Sequence, residues 1–336
     1  MSDSPPLPTQ LAGFWPPAAW RDVHVLVAIS GGRDSIALLH LLKGLKSGGA
    51  GEIVAGHLNH GLRKEADDDE RFVRKQCIDW QVPLEVGHAD VAGAAKSGGD
   101  GIEAAARNAR YEFLLQTAHR TGAGFSGTAH AADDQVETIL PRILRGTGIA
   151  GLRGMLPARP LDDGVTLVRP LLNVRREAID QYIQAEGLSF REDASNDDLQ
   201  FTRNRIRRDL LPKLRAEYNV GIDDALLRMA DLAAECGSVI DEVARGLAER
   251  CRCADTSPIT IDCQPLASQS RYLVCETLMR IWNDAQLPQQ AMGKREWETL
   301  AEIAQTVGDV AARDFPSRVR ARKTGEQLTL SRLRGN

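Results

Sequence analysis

Residues 25–42 read VLVAISGGRDSIALLHLL. An apolar run, a glycine turn and a second apolar run at helical spacing specify a strand, a tight turn and a helix in immediate succession. That order builds a backbone anion cradle. The glycines bring N–H groups close to a ligand, and the helix adds the positive end of its dipole. The turn has no GxxxxGK[ST] lysine, and it carries an acid, Asp34. A carboxylate in a phosphate loop repels its ligand unless it caps the helix or shares a divalent cation with the phosphate. Ser30 and Ser35 add neutral hydroxyl donors.

The alternation continues beyond this unit. Strands are expected at 24–29, 53–58, 84–88 and 123–128, with helices at 35–46, 66–80, 102–121 and 133–145. Such a pattern predicts an α/β fold with a doubly wound, mostly parallel sheet. Ligands of these folds sit at the carboxyl ends of the strands, where SGGRDS, the segment after His57 and the segment after Thr128 all fall. Residues 174–187 predict a helix and 190–198 a polar loop. Residues 202–214 predict a basic helix that runs through Pro212 or ends near it. From Gly221 to about Asp284 the alternation gives way to long helical patterns, and 315–331 alternates around Thr324-Gly325 as a hairpin. The expected domains are 1–217 and 218–336, the second smaller, helical and ending in the hairpin.

The 336 residues are 43% hydrophobic and 26% charged, as in ordinary soluble globular proteins. No apolar run reaches the roughly 18 residues that span a bilayer, so no membrane is expected. The first ten residues, MSDSPPLPTQ, lack the basic and apolar regions of a secretory signal. The six cysteines are scattered without a metal-binding spacing, which fits a reduced cytoplasm. Net charge is −4, yet residues 141–215 carry 14 basic and 10 acidic groups, and 313–334 carry seven and two. Local basic zones on an acidic background suit a polyanion bound along a limited track, or a solvated face.

Four further stretches carry candidate chemistry. In GHLNHGLRKEADDDERF, His60 and Arg63 lie just past a strand end, and the acids open the next helix. In GIEAAARNARYEF, Arg107 and Arg110 share a helix face, either solvated or poised over a polyphosphate. In TAHAADDQVETILPRILRGTGIAGLRGM, Asp133, Asp134 and Glu137 open a helix, as dipole complement or as ligands for a metal ion or a substrate ammonium. Arg142 and Arg145 follow, among glycines. In RPLL, EDASND and RNRIRRDLLPKL the last is strongly basic, with Arg203, Arg205, Arg207, Arg208 and Lys213 against Asp209. It reads as a solvated helix, an RNA phosphate contact or a reach toward a substrate carboxylate.

SGGRDS resembles the PP-loop of the N-type ATP pyrophosphatases, which cleave ATP between the α and β phosphates, where a Walker lysine is not required. Taken in order, SGGRDS, HLNHGLR, EAAARNARY, TAHAADDQVET, LRGTGIAGLRGM, RPLL, DASN and RNRIR resemble the tRNA(Ile)-lysidine synthetase family over nearly all of 22–215. The C-terminal third resembles that family's helical substrate-binding domain more loosely. The resemblance implies an adenine nucleotide alpha hydrolase-like fold. It implies ATP, Mg2+, L-lysine and a CAU-anticodon isoleucine tRNA as ligands, with a homodimer left open. Lysine would be joined to C2 of the wobble cytidine through an adenylated base, giving lysidine, AMP and pyrophosphate and changing the codon read from AUG to AUA.

By the same match, Ser30, Gly31, Gly32, Arg33, Asp34 and Ser35 form the ATP loop, with Asp34 near the magnesium. His60 and Arg110 would join the nucleotide site, and Arg107 would meet the phosphates. Asp134 and Glu137 would hold the lysine ammonium. Arg145, Arg203, Arg205 and Arg207 would meet lysine or tRNA, with Arg205 assigned to the lysine carboxylate or the RNA. The sequence departs from the family at Ala131, where a histidine is common, and at Pro141, which would kink or break its helix. It also ends where longer members add a second C-terminal domain. A tRNA thiolase is disfavoured because Cys77 is the one cysteine before residue 216. A non-catalytic tRNA-binding relic would be expected to have lost SGGRDS, Asp134 or Glu137.

Overall fold

The apolar runs of the first half lie side by side as strands, with helices over both faces. The structure, a computed structural model, describes residues 5–61, 66–98, 101–191, 202–254, 258–289 and 291–333. The chain divides into two compact units, Met1–Asp231 and Leu232–Asn336.

In the first unit α1 (Leu7–Phe14) precedes β1 (His24–Ala28), α2 (Arg33–Leu45), β2 (Ile53–Asn59), α3 (Ala66–Asp79) and β3 (Leu84–His88). Then come α4 (Val91–Gly98), α5 (Ile102–Thr121), β4 (Ala123–Gly127), α6 (Ala132–Leu144), α7 (Ile149–Leu152), β5 (Ala158–Asp162), β6 (Val165–Val168) and α8 (Arg176–Ala185). The segment after it comprises α9 (Thr202–Arg205), a π-helical turn at Ile206–Leu210 and α10 (Leu211–Glu217); α11 (Ile222–Cys251) then begins in the first unit and continues into the second. The sheet order is β3-β2-β1-β4-β6-β5, parallel except at the β5 edge. The order reverses at β1, between β2 and β4. The loops after β1 and β4 therefore open onto the crevice where such sheets bind ligands.

Period-two alternation sorts β1 onto two cores. Val25 and Val27 point to one face, where they are buried with Ile36, Leu38, Leu39 and Leu42 of α2 and with Ile179 and Ile183 of α8. Leu26 points to the other face, against Leu114 and Ala118 of α5. On that face Phe113 sits directly over β3, and a Cβ on Gly87 would come within 2.6 Å of its ring. A third cluster joins Val136, Ile139 and Leu140 of α6 to Ile206, Leu211 and Leu226, which docks the basic 202–217 segment against α6.

Two expectations change here, at 202–214 and at Pro141. The helix expected over 202–214 is three pieces. Pro212 lies in the first turn of α10, and because it lacks an N–H the ladder widens into the π turn before it. The β5–β6 hairpin was not visible in the alternation, because ARPLD is an exposed edge strand carrying a proline. Pro141 does not break α6. It lies in the last turn, and the Arg145 N–H still reaches the Pro141 carbonyl at 3.2 Å.

In the second unit β7 (Arg252–Ala254), β8 (Ile259–Asp262), α12 (Arg271–Asp284), α13 (Lys294–Gln305), β9 (Val310–Phe315), β10 (Val319–Thr324) and β11 (Gln327–Arg332) follow. The expected hairpin is β10–β11, but it belongs to a five-stranded antiparallel sheet ordered β7-β8-β11-β10-β9. β7 and β8 are too short to interrupt a helical reading. Val319, Ala321, Leu328 and Leu330 pack with Leu278, Trp282, Trp297 and Leu300 beneath the sheet. No described helix is long and apolar enough to cross a membrane.

Leu38 is fully enclosed, whereas Val239 is 61% exposed. Leu38→Ala is expected to destabilise the protein by about 2–5 kcal/mol, and Val239→Ala by less than about 0.5 kcal/mol. Chemical denaturation of the two variants against the unaltered protein checks the difference.

Candidate active site

The loop closing β1 is braced by its own hydroxyls. Ser35 Oγ donates to the Gly32 carbonyl (2.8 Å) and lies 3.2 Å from Ser30 Oγ. The Ser30 N–H donates to Ser35 Oγ at 3.2 Å, and the Gly32 N–H to Ser30 Oγ at 3.3 Å. Gly31 has φ +85°, a region that strains any other residue. Its carbonyl accepts the Arg191 N–H at 2.9 Å, which ties the loop to the chain just before DASN. Gly32 is the N-cap of α2 and provides no side-chain cap, so the first N–H groups of α2 remain free for an anion.

Asp34 does not act as that cap. Its Oδ1 is buried with no hydrogen-bond partner, and its Oδ2 stands 3.8 Å from Arg176 Nε. Burial, reinforced by the Asp134 charge, pushes its carboxyl up to about 6 against the pull of Arg176. A buried carboxylate oxygen without a donor is what a cation site offers. Among the described residues no group of three or more His, Cys, Asp or Glu could hold a metal ion. A single carboxylate suits an ion held mostly by the phosphates of a nucleotide. Arg33, in the same loop, turns away to pair with Asp180 of α8 and packs over the Phe190 ring at 5.3 Å.

The turn that opens α6 comes to the same edge. The Ala131 N–H donates to Asp134 Oδ2 at 2.8 Å, and the Ala131 side chain is fully buried. A histidine at this position would have to open the core beneath it, so the departure at Ala131 is compatible with the packing around it. Asp134 Oδ1 accepts from Arg176 Nη2 (2.9 Å) and Arg203 Nη2 (2.7 Å). Glu137 accepts Arg203 Nε at 2.8 Å and, bidentately, Arg207 Nε at 2.6 Å and Nη2 at 2.9 Å. Arg176 Nη1 stands 3.6 Å from Glu137. Burial works to raise the Asp134 carboxyl, but Arg203, Arg176 and the Ala131 N–H outweigh it and hold it below the usual range. Asp133 accepts the Arg176 N–H at 2.8 Å and so starts α8. His130, 3.0 Å from Thr128 Oγ1, is kept neutral mainly by burial. A cavity of about 160 Å3 adjoins this cluster, lined by Glu137, Arg176, Arg207, Arg215 and Asp223 among others.

Arg205, between two cluster arginines, is exposed and makes no ion pair among the described residues. Arg203 and Arg207 share a helix face, which turns Arg205 away. Arg107 and Arg110 are exposed on the early turns of α5. Arg107 lies over the Tyr111 ring at 5.6 Å, and Arg110 is within electrostatic reach of Arg203. Arg145 caps the carboxyl end of α6 and is exposed. His60 follows β2 and is half-buried, while Arg63 and EDASND lie outside the described residues. Asn59 Nδ2 instead meets Asp67 (3.1 Å) and Glu70 (3.3 Å), which gives the acid run a structural use.

Sequence reasoning passed over Arg176 and Gln135. Arg175 and Arg176 open α8 at the helix end where the dipole disfavours cations, and that mismatch was the available signal. Gln135 is buried and clamps the following loop. Its Oε1 accepts the Met155 N–H at 2.7 Å, and its Nε2 donates to the Met155 carbonyl at 2.9 Å. No periodicity announces that contact.

A family profile described as a PP-loop domain matches residues 9–214. A tRNA(Ile)-lysidine synthase of Petrotoga mobilis is 37% identical over 226 residues, covering 67% of this chain and 70% of that protein. Proteins of the same name from Thermotoga sp. strain RQ2 (34%) and Clostridium acetobutylicum (39%) match 68% and 66% of this chain. The chain spans about half the length of these two relatives, 53% and 47%. A U34-tRNA thiolase of Methanococcus maripaludis, solved with its [4Fe-4S] cluster, superposes with a TM-score of 0.57 at 15% identity, covering 68% of this chain and 78% of that one. That likeness extends to the fold alone. On the PP-loop match and the Petrotoga relative, the chain belongs to the tRNA(Ile)-lysidine synthase family of PP-loop proteins.

Proposed function

We propose that this protein uses ATP to ligate L-lysine to C2 of the wobble cytidine of the CAU-anticodon isoleucine tRNA in the cytoplasm, releasing AMP and pyrophosphate. The observation that carries the reading is the meeting of an uncapped PP-loop, the unpartnered Asp34 oxygen and the Asp134–Glu137 pair at one switch point. In the first step the cytidine O2 attacks the α phosphate and pyrophosphate leaves. The free N–H groups of α2 and the Ser30 and Ser35 hydroxyls receive the departing anion. Arg107 and Arg110 add positive charge nearby. A divalent cation bound at Asp34 would supply charge neutralisation at the phosphates.

In the second step the lysine ε-amine attacks C2 and AMP leaves. An ammonium is not a nucleophile, so the site must attract the cation and then take its proton. Asp134 and Glu137 suit both tasks. In this structure Arg176, Arg203 and Arg207 occupy them, so lysine enters by replacing guanidinium contacts with its own ammonium. As the arginines withdraw, Asp134 loses the charges that depress its acidity range and becomes a better proton acceptor. The adjoining cavity presents both signs of charge, as an amino acid zwitterion requires. The thiolase alternative needs a reactive thiolate, whereas burial pushes the Cys77 thiol up to about 11.

Incubation of the purified protein with ATP, labelled lysine and the CAU isoleucine tRNA is expected to label that RNA and not the CAU methionine tRNA. Absence of label in both sinks the proposal. Glu137→Gln is expected to lower lysine transfer at least about 100-fold. It should leave a first burst of pyrophosphate, which separates the second step from adenylation.

Asp34→Asn is expected to suppress pyrophosphate release. It should also stabilise the ligand-free protein at pH 7–8. The folded carboxyl titrates near 6 against 3.8 for the free group, so its favourable contribution is complete below about pH 4 and lost as pH rises through 6. Removing it is worth about 1–3 kcal/mol at neutral pH, which denaturation at pH 5 and pH 8 measures. An Asp34→Asn protein with unchanged pyrophosphate release would deny Asp34 any part in nucleotide chemistry.

A further inference from the structure

Arg169, the arginine of RPLL, is only 2% exposed and has no part in the chemistry above. Its Nη1 donates to the Leu156 carbonyl at 2.6 Å, and the Tyr111 hydroxyl lies beside its guanidinium. Its Nε has no partner. Burying a cation against a carbonyl and a phenol, with no anion, is costly. The surroundings add positive charge. The Tyr111 ring lies under two guanidiniums, Arg107 at 5.6 Å and Arg159 at 5.1 Å. Arg142 spends its Nη1 on the Gly151 (2.9 Å) and Gly154 (3.0 Å) carbonyls and lies within electrostatic reach of Arg107 and Arg145. Among the described residues Arg107, Arg110, Arg142, Arg145, Arg159 and Arg169 make no ion pair with a carboxylate. Burial works to raise the Tyr111 hydroxyl, yet Arg169 and Arg107 hold it below its ordinary range.

Topology explains the convergence. α5 leads directly into β4, so its early turns, with Arg107 and Tyr111, lie at the carboxyl ends of the parallel strands. β5 runs back along β6 with Ala158 opposite Val168, which brings Arg159 and Arg169 to that same end. Arg169 and Arg110 both act on His130, which also feels Asp134 and Arg203, so this surface borders the carboxylate cluster. Six cations are thus drawn from three parts of the chain, α5, the end of α6 and the β5–β6 hairpin. An aromatic ring flanked by guanidiniums is suited to stacking an unpaired base, and the guanidiniums to its phosphodiesters.

We propose that Tyr111 and Arg159, held from beneath by the buried Arg169 and with Arg142 and Arg145 beside them, form the seat of the single-stranded RNA next to the reacting cytidine, its phosphates on the Arg159, Arg142 and Arg145 guanidiniums and one base taking the place of a guanidinium over the Tyr111 ring. This rests on the tRNA reading given above. The test is the affinity of the intact protein for a fluorescent RNA hairpin with a CAU loop, measured without ATP or lysine across a salt series. Arg159→Ala is expected to weaken binding about tenfold and to reduce the slope of log affinity against log salt by about 0.7, one phosphate contact on single strands. Tyr111→Leu is expected to weaken binding about tenfold, whereas Tyr111→Phe, which keeps the ring, retains most of it. ATP affinity, measured by equilibrium dialysis, is expected to be unchanged in Arg159→Ala. Hairpin affinity and salt slope unchanged in folded Arg159→Ala and Tyr111→Leu proteins overturn the seat alone, as does a loss confined to ATP. An unaltered protein that binds no hairpin overturns the functional reading and the seat together.

Discussion

Two carboxylates buried within one helical turn need cations brought to them. Asp134 and Glu137 obtain theirs from Arg176, at the start of α8, and from Arg203 and Arg207, on the segment docked against α6. Pairs of this kind roughly break even against their desolvation, but removing one partner costs about 3–5 kcal/mol. The lattice therefore contributes location more than stability. It draws three stretches, the outermost as much as 70 residues apart in sequence, onto one sheet edge, and it holds the two carboxylates there as a site for cations.

The frame of the first unit was legible because its signals are local and redundant. Val25 and Val27 against Leu26, the glycine turn after Ile29, and the apolar spacing of α2 each demand the same strand–turn–helix. The order of strands in the sheet is not a local property, but the phosphate loop points to it, since such loops lie where the winding reverses. Legibility fails where the residues do not need their neighbours. β5 is a short edge strand whose side chains are largely exposed, and Arg252 and Cys253 of β7 are exposed too, so no alternation is imposed on them. The π turn at Ile206–Leu210 arises from a proline two residues further on, a constraint that a pattern of apolar spacings does not contain.

At the site, residue types were legible and partners were not. Asp34 stood out in the sequence because its charge opposed its setting, and the structure leaves one of its oxygens unpartnered. Arg176 broke a rule just as plainly, as a cation at the positive end of a helix, but a violation at a helix start looks trivial until the carboxylates it faces are known. Arg203, Arg205 and Arg207 differ in the face that their spacing gives them. Residues four apart share a helix face, so 203 and 207 act together and 205 looks outward. The RNRIR motif marks the segment, and helical geometry selects within it.

The two halves of the proposed reaction place opposite demands on charge, and the architecture keeps them apart. Adenylation needs a leaving pyrophosphate stabilised without a fixed cation crowding the α phosphate. In that proposal a loop of backbone N–H groups and hydroxyls would do this without a Walker lysine. Amine attack needs the reverse, a site that welcomes a cation and can then discharge it. On that proposal the acids belong after β4 rather than in the loop after β1. The guanidinium that touches both is Arg176, which lies 3.8 Å from Asp34 and 2.9 Å from Asp134. In the proposed reaction, lysine entering at Asp134 would disturb Arg176, and that would change the field at Asp34. One side chain can thus pass the occupancy of the amine site to the nucleotide site through Coulomb's law alone, with no movement of the backbone required.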